Sequence, residues 1–333
     1  MSTAFISLIG GFILLIIGGE LLVRGAVRTA ERLGVSPLLI GLTLVGFGTS
    51  APEMAISIQA AMEGSPGIAI GNFVGSSISN ILLILGAAAL LSPIAISSAA
   101  LNRDGTFVLI TAVIFAVVSL LLPYNQYVGW CFIALLGTYL TYAWRQERVV
   151  TGEGHTSAYE MAEGFSQMRD EPGRGWISPK IQRKAVIIVP LMLACVGLVG
   201  IILGGRLLVD GAVSIAKDFG ISETVIGLTI VAVGTSMPEL ITSVVAAARG
   251  QPSVAVGTIL GSNIYNILGV GGITAILAPT TVPTQIVQYD NLVMVAAALL
   301  LLLFARTGFR ITRIEGSLLL ACYVAYIWTL WPQ

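Results

Sequence analysis

The sequence predicts an all-α integral membrane protein with about ten transmembrane helices, arranged as two five-helix repeats of inverted topology. Three observations predict this fold. The chain of 333 residues is 56% hydrophobic and only 10% charged, whereas soluble domains carry about 25% charged residues. About ten apolar stretches approach the roughly 20 residues that a helix needs to cross a bilayer. A long segment of the first half also recurs in the second half.

The apolar stretches divide equally between the two halves. They cover residues 4–30, 36–62, 67–92, 105–123 and 126–146, and then 185–215, 222–249, 253–278, 288–305 and 314–331. We therefore divide the chain into a first repeat at 1–147, a polar linker loop at 148–184 and a second repeat at 185–333. The most similar parts of the repeats are about 36–92 and about 222–278.

The internal repeat has a constant offset of 186 positions. The segment from Gly41 to Glu53 returns as the segment from Gly227 to Glu239, and the Gly-Ser motif at Gly75 returns at Gly261. Because five helices are an odd number of crossings, the second copy enters the membrane in the opposite direction. This inverted arrangement is typical of secondary transporters, whose substrate site lies where the repeats meet.

Charge placement predicts the orientation. Basic residues such as Arg145, Arg183 and Arg313 flank the linker loop or fall on the same side of the membrane. By the positive-inside rule, the linker loop is cytoplasmic and both termini lie outside. Net charge is zero, which gives no indication of nucleic acid, and the single histidine, His155, disfavours a histidine metal site or a Ser-His-Asp triad.

Each copy of the repeated motif places a glutamate beside residues that break a helix. These residues are Gly48, Pro52 and Glu53 in the first copy, and Gly234, Pro238 and Glu239 in the second. A charge in hydrocarbon costs roughly 2.5–3.5 kcal/mol on the insertion scale, so we expect the two carboxylates to act together. Proline removes a backbone donor, and exposed carbonyls are tolerated at this depth only where they line a cavity.

The predicted breaks in helices 2 and 7 therefore supply oxygen ligands. Besides the two carboxylates, the candidates are the carbonyls of Thr49 and Thr235, the hydroxyls of Ser50 and Ser236, and, from the next helix of each half, Ser76, Asn80, Ser262 and Asn266. Such a set of oxygen atoms suits hard cations such as Ca²⁺ and disfavours Zn²⁺ or Cu⁺. For the serines and asparagines of the next helix, helix packing through the neighbouring glycines is the competing interpretation.

Two further pairs of charged residues lie within the apolar stretches. Glu20 and Arg24 are four positions apart, as are their repeat mates Arg206 and Asp210, with the signs reversed. Residues at this spacing are neighbours on a helix surface. We predict that both pairs are structural ion pairs.

The paired Gly-Thr-Ser-x-Pro-Glu and Gly-Ser-x-Ile-x-Asn segments resemble the α-repeats of the Ca²⁺/cation antiporter superfamily, and most closely those of prokaryotic sodium/calcium exchangers. The resemblance implies that Glu53 and Glu239 bind Ca²⁺ and Na⁺ alternately. It implies Ca²⁺ contacts from the Thr49 and Thr235 carbonyls, and Na⁺ sites that involve Ser50, Ser76, Asn80, Ser236 and Ser262 with the carbonyls near Gly46 and Ala232. It also implies a prokaryotic inner-membrane protein without a cofactor, with Ca²⁺, Na⁺ and lipid as its partners.

The sequence-based hypothesis is therefore an alternating-access antiporter in which Ca²⁺ and Na⁺ compete for the two glutamates. The glycine-rich first helices of the two halves, at 4–30 and 185–215, are expected to slide against the rest. Exchange of Ca²⁺ for protons is an alternative, since two glutamates can exchange two protons for one Ca²⁺, and so is a K⁺ requirement. Some family members carry Asp where this chain has Asn266, and this departure leaves stoichiometry and ion choice open. An intramembrane hydrolase with two carboxylates and a passive cation channel are more remote alternatives.

Overall fold

The computed structural model describes residues 2–32, 46–147, 188–250 and 252–331. Apart from two short strands, these residues are almost entirely helical, and the helices fall where the apolar stretches predict them. The first five are α1 (Ser2–Arg32), α2 (Gly46–Thr49 and Ala51–Met62), α3 (Pro66–Leu91), α4 (Leu101–Leu121) and α5 (Gln126–Glu147). The second five are α6 (Ile188–Phe219), α7 (Glu223–Thr235 and Met237–Ala248), α8 (Pro252–Ile264, Tyr265–Val270 and Gly271–Leu277), α9 (Ile286–Arg306) and α10 (Arg313–Leu330).

The helix lengths suit a multi-pass membrane protein. Among the described residues, six helices are long and apolar enough to cross a membrane, and the bent pair in α7 makes a seventh. Helices α5 and α10 have 22 and 18 residues but carry more polar side chains. The predicted span 36–62 is described only from Gly46 onward, and the linker at 148–184 lies outside the described residues.

The two halves are related by an inversion, which the packing of α1 against α6 demonstrates. A Cβ added at Gly11 would lie 2.8 Å from the Gly204 carbonyl oxygen, and one at Gly18 would lie 2.8 Å from the Gly197 carbonyl oxygen. Position numbers rise along one helix as they fall along the other, so these repeat mates are antiparallel. The predicted inverted topology is confirmed.

Glycine sets the distance between α1 and α6. Gly11, Gly18 and Gly25 recur every seven residues, and the same offset of 186 gives Gly197, Gly204 and Gly211 on α6. Small residues let two backbones approach closely in a membrane. At all six positions a Cβ would overlap the facing backbone. We call these six glycines the glycine seam.

The remaining contacts follow the same two-fold pattern. Gly86 of α3 packs against Gly316 of α10, and Gly272 of α8, its repeat mate, packs against Gly129 of α5. Strands β1 (Ile94–Ala95) and β2 (Arg310–Ile311) pair antiparallel on the side of the molecule where α3 ends and α10 begins. The last helix of each half thus covers the α-repeat helix of the other half, which encloses α3 and α8 at the centre.

Candidate ion-binding site

Helices α2 and α7 break in the same way. Ser50 separates the two pieces of α2 with φ −87° and ψ 9°, and Ser236 separates those of α7 with φ −83° and ψ 10°. In each case a proline occupies the first turn of the second piece, where its missing N–H costs no helical hydrogen bond. The bend in α7 is 49°. The structure thus contains both helix breaks that the sequence predicts.

Glycine contributes to these breaks differently from what the sequence suggested. Gly48 and Gly234 lie in helical segments, and neither has a positive φ. At Gly234 a Cβ would overlap the ring of Phe12 on α1. The glycine there makes room for an aromatic ring, and the break itself falls at the serine and proline that follow.

The two glutamates lie at the helix breaks and are buried. Glu53 is 0% and Glu239 2% exposed, and each occupies the first turn of the second helix piece. The N-terminal end of a helix favours negative charge. The Ser236 hydroxyl donates to Glu53 Oε1 at 3.3 Å, so the first glutamate reaches the break of the other half.

Helices α3 and α8 face these breaks with buried polar side chains. Ser262 donates to Glu239 Oε1 at 3.1 Å. Ser76 donates to the Ala232 carbonyl at 3.3 Å and lies 3.4 Å from the Thr235 hydroxyl. Asn80 begins the π-helical stretch Asn80–Leu85, and Asn266 lies in its counterpart Tyr265–Val270. Such wide turns occur frequently at functional sites.

Several oxygens of this cluster have no hydrogen-bond partner among the described residues. They are Glu53 Oε2, Glu239 Oε2, Ser50 Oγ, Asn80 Oδ1 and Asn266 Oδ1. About 90% or more of buried polar groups in proteins are hydrogen-bonded, so a concentration of bare oxygens at one place needs an explanation. A cation that takes them as ligands is the simplest one.

The donor set fits hard cations. The set consists of two carboxylates, hydroxyls and amide oxygens, and among the described residues no group of three or more His, Cys, Asp or Glu could hold a metal ion. Ca²⁺ takes 6–8 oxygens at about 2.3–2.6 Å, which two acids and several neutral oxygens can supply. No sulfur or imidazole side chain is among these residues.

The structure gives fewer contacts for the main-chain carbonyls that the sequence predicts as ligands. The Ala232 carbonyl accepts from Ser76 and from the Thr235 hydroxyl, the latter at 3.1 Å. Thr49 ends the first piece of α2, and Gly46 begins the described part of that helix. The roles of the Thr49, Thr235, Gly46 and Ala232 carbonyls as ligands stay predictions.

Asn72 on α3 is a residue of this site that the sequence analysis did not identify. Its amide nitrogen donates to the Glu53 carbonyl at 2.9 Å and to Ser57 Oγ at 3.0 Å. Its amide oxygen accepts from the Thr235 hydroxyl at 3.1 Å. Asn72 therefore joins the two halves beside the glutamates. Its repeat mate is Thr258, so the duplication that revealed the other residues did not mark it.

The predicted ion pairs differ between the halves. Glu20 and Arg24 form a salt bridge on α1. Arg206 and Asp210 on α6 are both exposed, and within the described residues no ion pair joins them. Exposed ion pairs contribute little, which agrees with the formation of only one of the two.

Comparison with known proteins gives consistent matches over the whole chain. The family model described as "Sodium/calcium exchanger protein" matches residues 3–146 and 189–331. The chain is 36% identical over 336 residues to "Putative antiporter CaxA" of Alkalimonas amylolytica, with 100% of both proteins covered. It is 36% identical over 342 residues to "Sodium/calcium exchanger MaX1" of Methanosarcina acetivorans, with 97% of both covered.

The fold also matches solved structures. Against the sodium-calcium exchanger NCX_Mj soaked with 10 mM Na⁺ and zero Ca²⁺, the TM-score is 0.62 at 31% sequence identity, with 99% of both chains covered.

Proposed function

Because this chain belongs to the sodium/calcium exchanger family, and is therefore a multi-pass membrane antiporter and not an enzyme, we propose that it exchanges Ca²⁺ for Na⁺. The observation that carries the proposal is the pair of buried glutamates at matching helix breaks, each with one carboxylate oxygen that has no partner in the described part of the chain. Two carboxylates balance one Ca²⁺ or two Na⁺. Competition between these ions for the same carboxylates couples their movements without a further site.

The ligands are assigned by type. Ca²⁺ takes Glu53 and Glu239 with the carbonyls of Thr49 and Thr235. Na⁺ takes the same two carboxylates together with the surrounding neutral oxygens, which belong to Ser50, Ser76, Asn80, Ser236, Ser262 and Asn266, and with the carbonyls of Gly46 and Ala232. The bare oxygens of Ser50, Asn80 and Asn266 support this assignment, because a buried amide without a partner is costly unless a ligand binds it.

Alternating access is proposed to use the glycine seam. Helices α1 and α6 pack closely on one another, and Phe12 of α1 covers Gly234 beside the α7 break. The close backbone contact along the seam holds the two helices together, so the pair can shift against the rest of the molecule as a unit. Such a shift would move Phe12 relative to the site. The central loop is proposed to be cytoplasmic and both termini to lie outside, with the division into 1–147, 148–184 and 185–333 retained.

The proposal is tested by ⁴⁵Ca²⁺ uptake into proteoliposomes with an imposed Na⁺ gradient. Glu53→Gln and Glu239→Gln are each expected to abolish uptake, because either change removes a charge that balances Ca²⁺. Glu63→Gln is the matched control, since Glu63 lies at the exposed end of α2 and bonds to Gln59. Uptake at the wild-type rate in either glutamine variant would overturn the proposal.

The same assay separates Na⁺ from H⁺ as the counter-ion. Two glutamates could also exchange two protons for one Ca²⁺. Uptake driven by a Na⁺ gradient at equal pH on both sides supports the proposal. Uptake driven only by a pH gradient would replace Na⁺ by H⁺ and leave the role of the glutamates intact.

A further inference from the structure

The internal repeat extends to a second pair of buried acids, Asp104 and Asp290. They are separated by the same 186 positions as Glu53 and Glu239, and each is 0% exposed. Asp104 lies in the π-helical stretch Leu101–Gly105 that begins α4, and Asp290 ends the stretch Ile286–Asp290 that begins α9. Because the halves are inverted, the starts of α4 and α9, and with them these acids, lie on opposite sides of the fold.

Both aspartates accept a hydrogen bond from a tyrosine on the next helix. Tyr139 of α5 donates to Asp104 Oδ1 at 3.3 Å, and Tyr326 of α10 donates to Asp290 Oδ1 at 2.9 Å. The same contact, formed twice, joins the fourth helix of each half to the fifth. The two sites are therefore equivalent in position and in their neutral donor.

They differ in charge compensation. Arg103 forms two hydrogen bonds to Asp104, at 3.0 and 3.1 Å. The repeat mate of Arg103 is Tyr289, whose hydroxyl instead lies 2.9 Å from the Thr329 hydroxyl. The first acid therefore has a guanidinium beside it, and within the described residues the second has no positive side chain.

The groups that face Asp290 are polar but neutral. Gln285 approaches from its own helix and Tyr326 from α10, where Tyr323 lies beside Tyr326. The next residue, Asn291, donates to Ser119 of α4 at 2.7 Å. Asp290 Oδ2, Asn291 Oδ1 and the Tyr323 hydroxyl have no hydrogen-bond partner among the described residues. A buried carboxylate without a compensating charge is strongly unfavourable.

We propose that Asp290 binds a monovalent cation, either a proton or an alkali metal ion, in the place that Arg103 fills beside Asp104. One carboxylate balances a single positive charge. We assign Asp290 Oδ2 as its charged ligand and propose Asn291 Oδ1 and the Tyr323 hydroxyl, which have no partner among the described residues, as neutral ligands. Asp290 belongs to α9 and the two glutamates to α2 and α7, so the inference goes beyond the exchange function and does not rest on it.

The test uses full-length protein in which Glu53→Gln and Glu239→Gln remove the charges of the exchange site. Thermal unfolding in detergent is followed with choline, Na⁺ or K⁺ at constant pH, and then from pH 5 to pH 9 in choline. A ligand at about 100 times its Kd is expected to raise Tm by roughly 5 °C. A response to Na⁺ or K⁺ at constant pH identifies an alkali ion, and a response to pH alone identifies a proton.

Two variants assign the response to this site. Asp290→Asn is expected to remove it, because the amide carries no charge. Tyr289→Arg is expected to remove it as well, because the guanidinium then occupies the position of the cation, as in the first half. Asp104→Asn is the matched control and retains the response.

The proposal is overturned if the parent protein shows no response, or if the response persists in Asp290→Asn. Should Asp290→Asn fail to fold, Tyr289→Arg decides alone: an unchanged response in that variant overturns the proposal, and a lost response supports it.

Discussion

Replacing Asn72 by threonine tests whether this residue positions the exchange site. Asn72 holds the Glu53 carbonyl, Ser57 and the Thr235 hydroxyl through three hydrogen bonds. The chain itself supplies the replacement, since Thr258 occupies the equivalent position in the second half. There the hydroxyls of Thr258 and Ser243, the repeat mate of Ser57, are buried without a partner among the described residues.

The magnitude follows from the bonds that are lost. Threonine is too short to reach all three groups, and each buried hydrogen bond contributes about 1 kcal/mol net. We therefore expect Asn72→Thr to lower the free energy of unfolding by about 3 kcal/mol. The Glu53 main chain and the Thr235 hydroxyl also lose their common anchor. If the lost anchor also weakens Ca²⁺ binding by about 1.4 kcal/mol, the KM for Ca²⁺ rises about tenfold.

Thermal unfolding and ⁴⁵Ca²⁺ uptake measure the two effects. Thr258→Asn is the matched control: it offers Ser243 a donor, so Tm should stay the same or rise and the KM should not increase. An Asn72→Thr protein with the wild-type Tm and the wild-type KM would refute the reasoning. A lower Tm with an unchanged KM would limit Asn72 to a role in stability.

Two further predictions concern packing. Gly18→Ala places a Cβ 2.8 Å from the Gly197 carbonyl oxygen and should lower the free energy of unfolding by about 1–3 kcal/mol. Its control is Gly10→Ala on the same helix, whose Cβ meets no atom within 4 Å and should leave the stability unchanged. Equal Tm values for the two variants would contradict this prediction. Tyr124→Phe removes a 2.6 Å hydrogen bond to the buried Gly271 carbonyl and should lower the free energy of unfolding by about 1–2 kcal/mol. Tyr142→Phe, at an exposed position, serves as its control. An equal loss of stability in both variants would argue against a contribution from the Tyr124 hydrogen bond.

The helices and the two glutamates were predictable because their signals are local or duplicated. A run of about 20 apolar residues indicates a span without knowledge of its neighbours, and Pro52 and Pro238 mark breaks in any context. Boundaries were less accurate: α4 begins at Leu101, before the predicted residue 105, and α6 continues to Phe219, beyond the predicted residue 215. The sequence at these helix ends is polar, and a polar sequence predicts a loop and not a membrane-spanning helix.

Asn72, Asp104 and Asp290 were not identified. Asn72 has no identical mate, and its partner Thr235 lies 163 positions away. Asp104 and Asp290 do share the offset of 186, but the helices around them have otherwise diverged. The sequence signal that could have identified them is an acid that recurs at the offset of 186 just before an apolar run.

The sequence by itself determined the membrane-embedded helices, the duplication and the presence of oxygen-bearing side chains at the two helix breaks. Each of these depends on a residue's own chemistry or on comparison of one half with the other. The tertiary structure alone decided which polar atoms have partners. Side chains far apart in sequence satisfy one another only after the helices pack. That packing brings Tyr139 to Asp104, Tyr326 to Asp290 and Ser236 to Glu53.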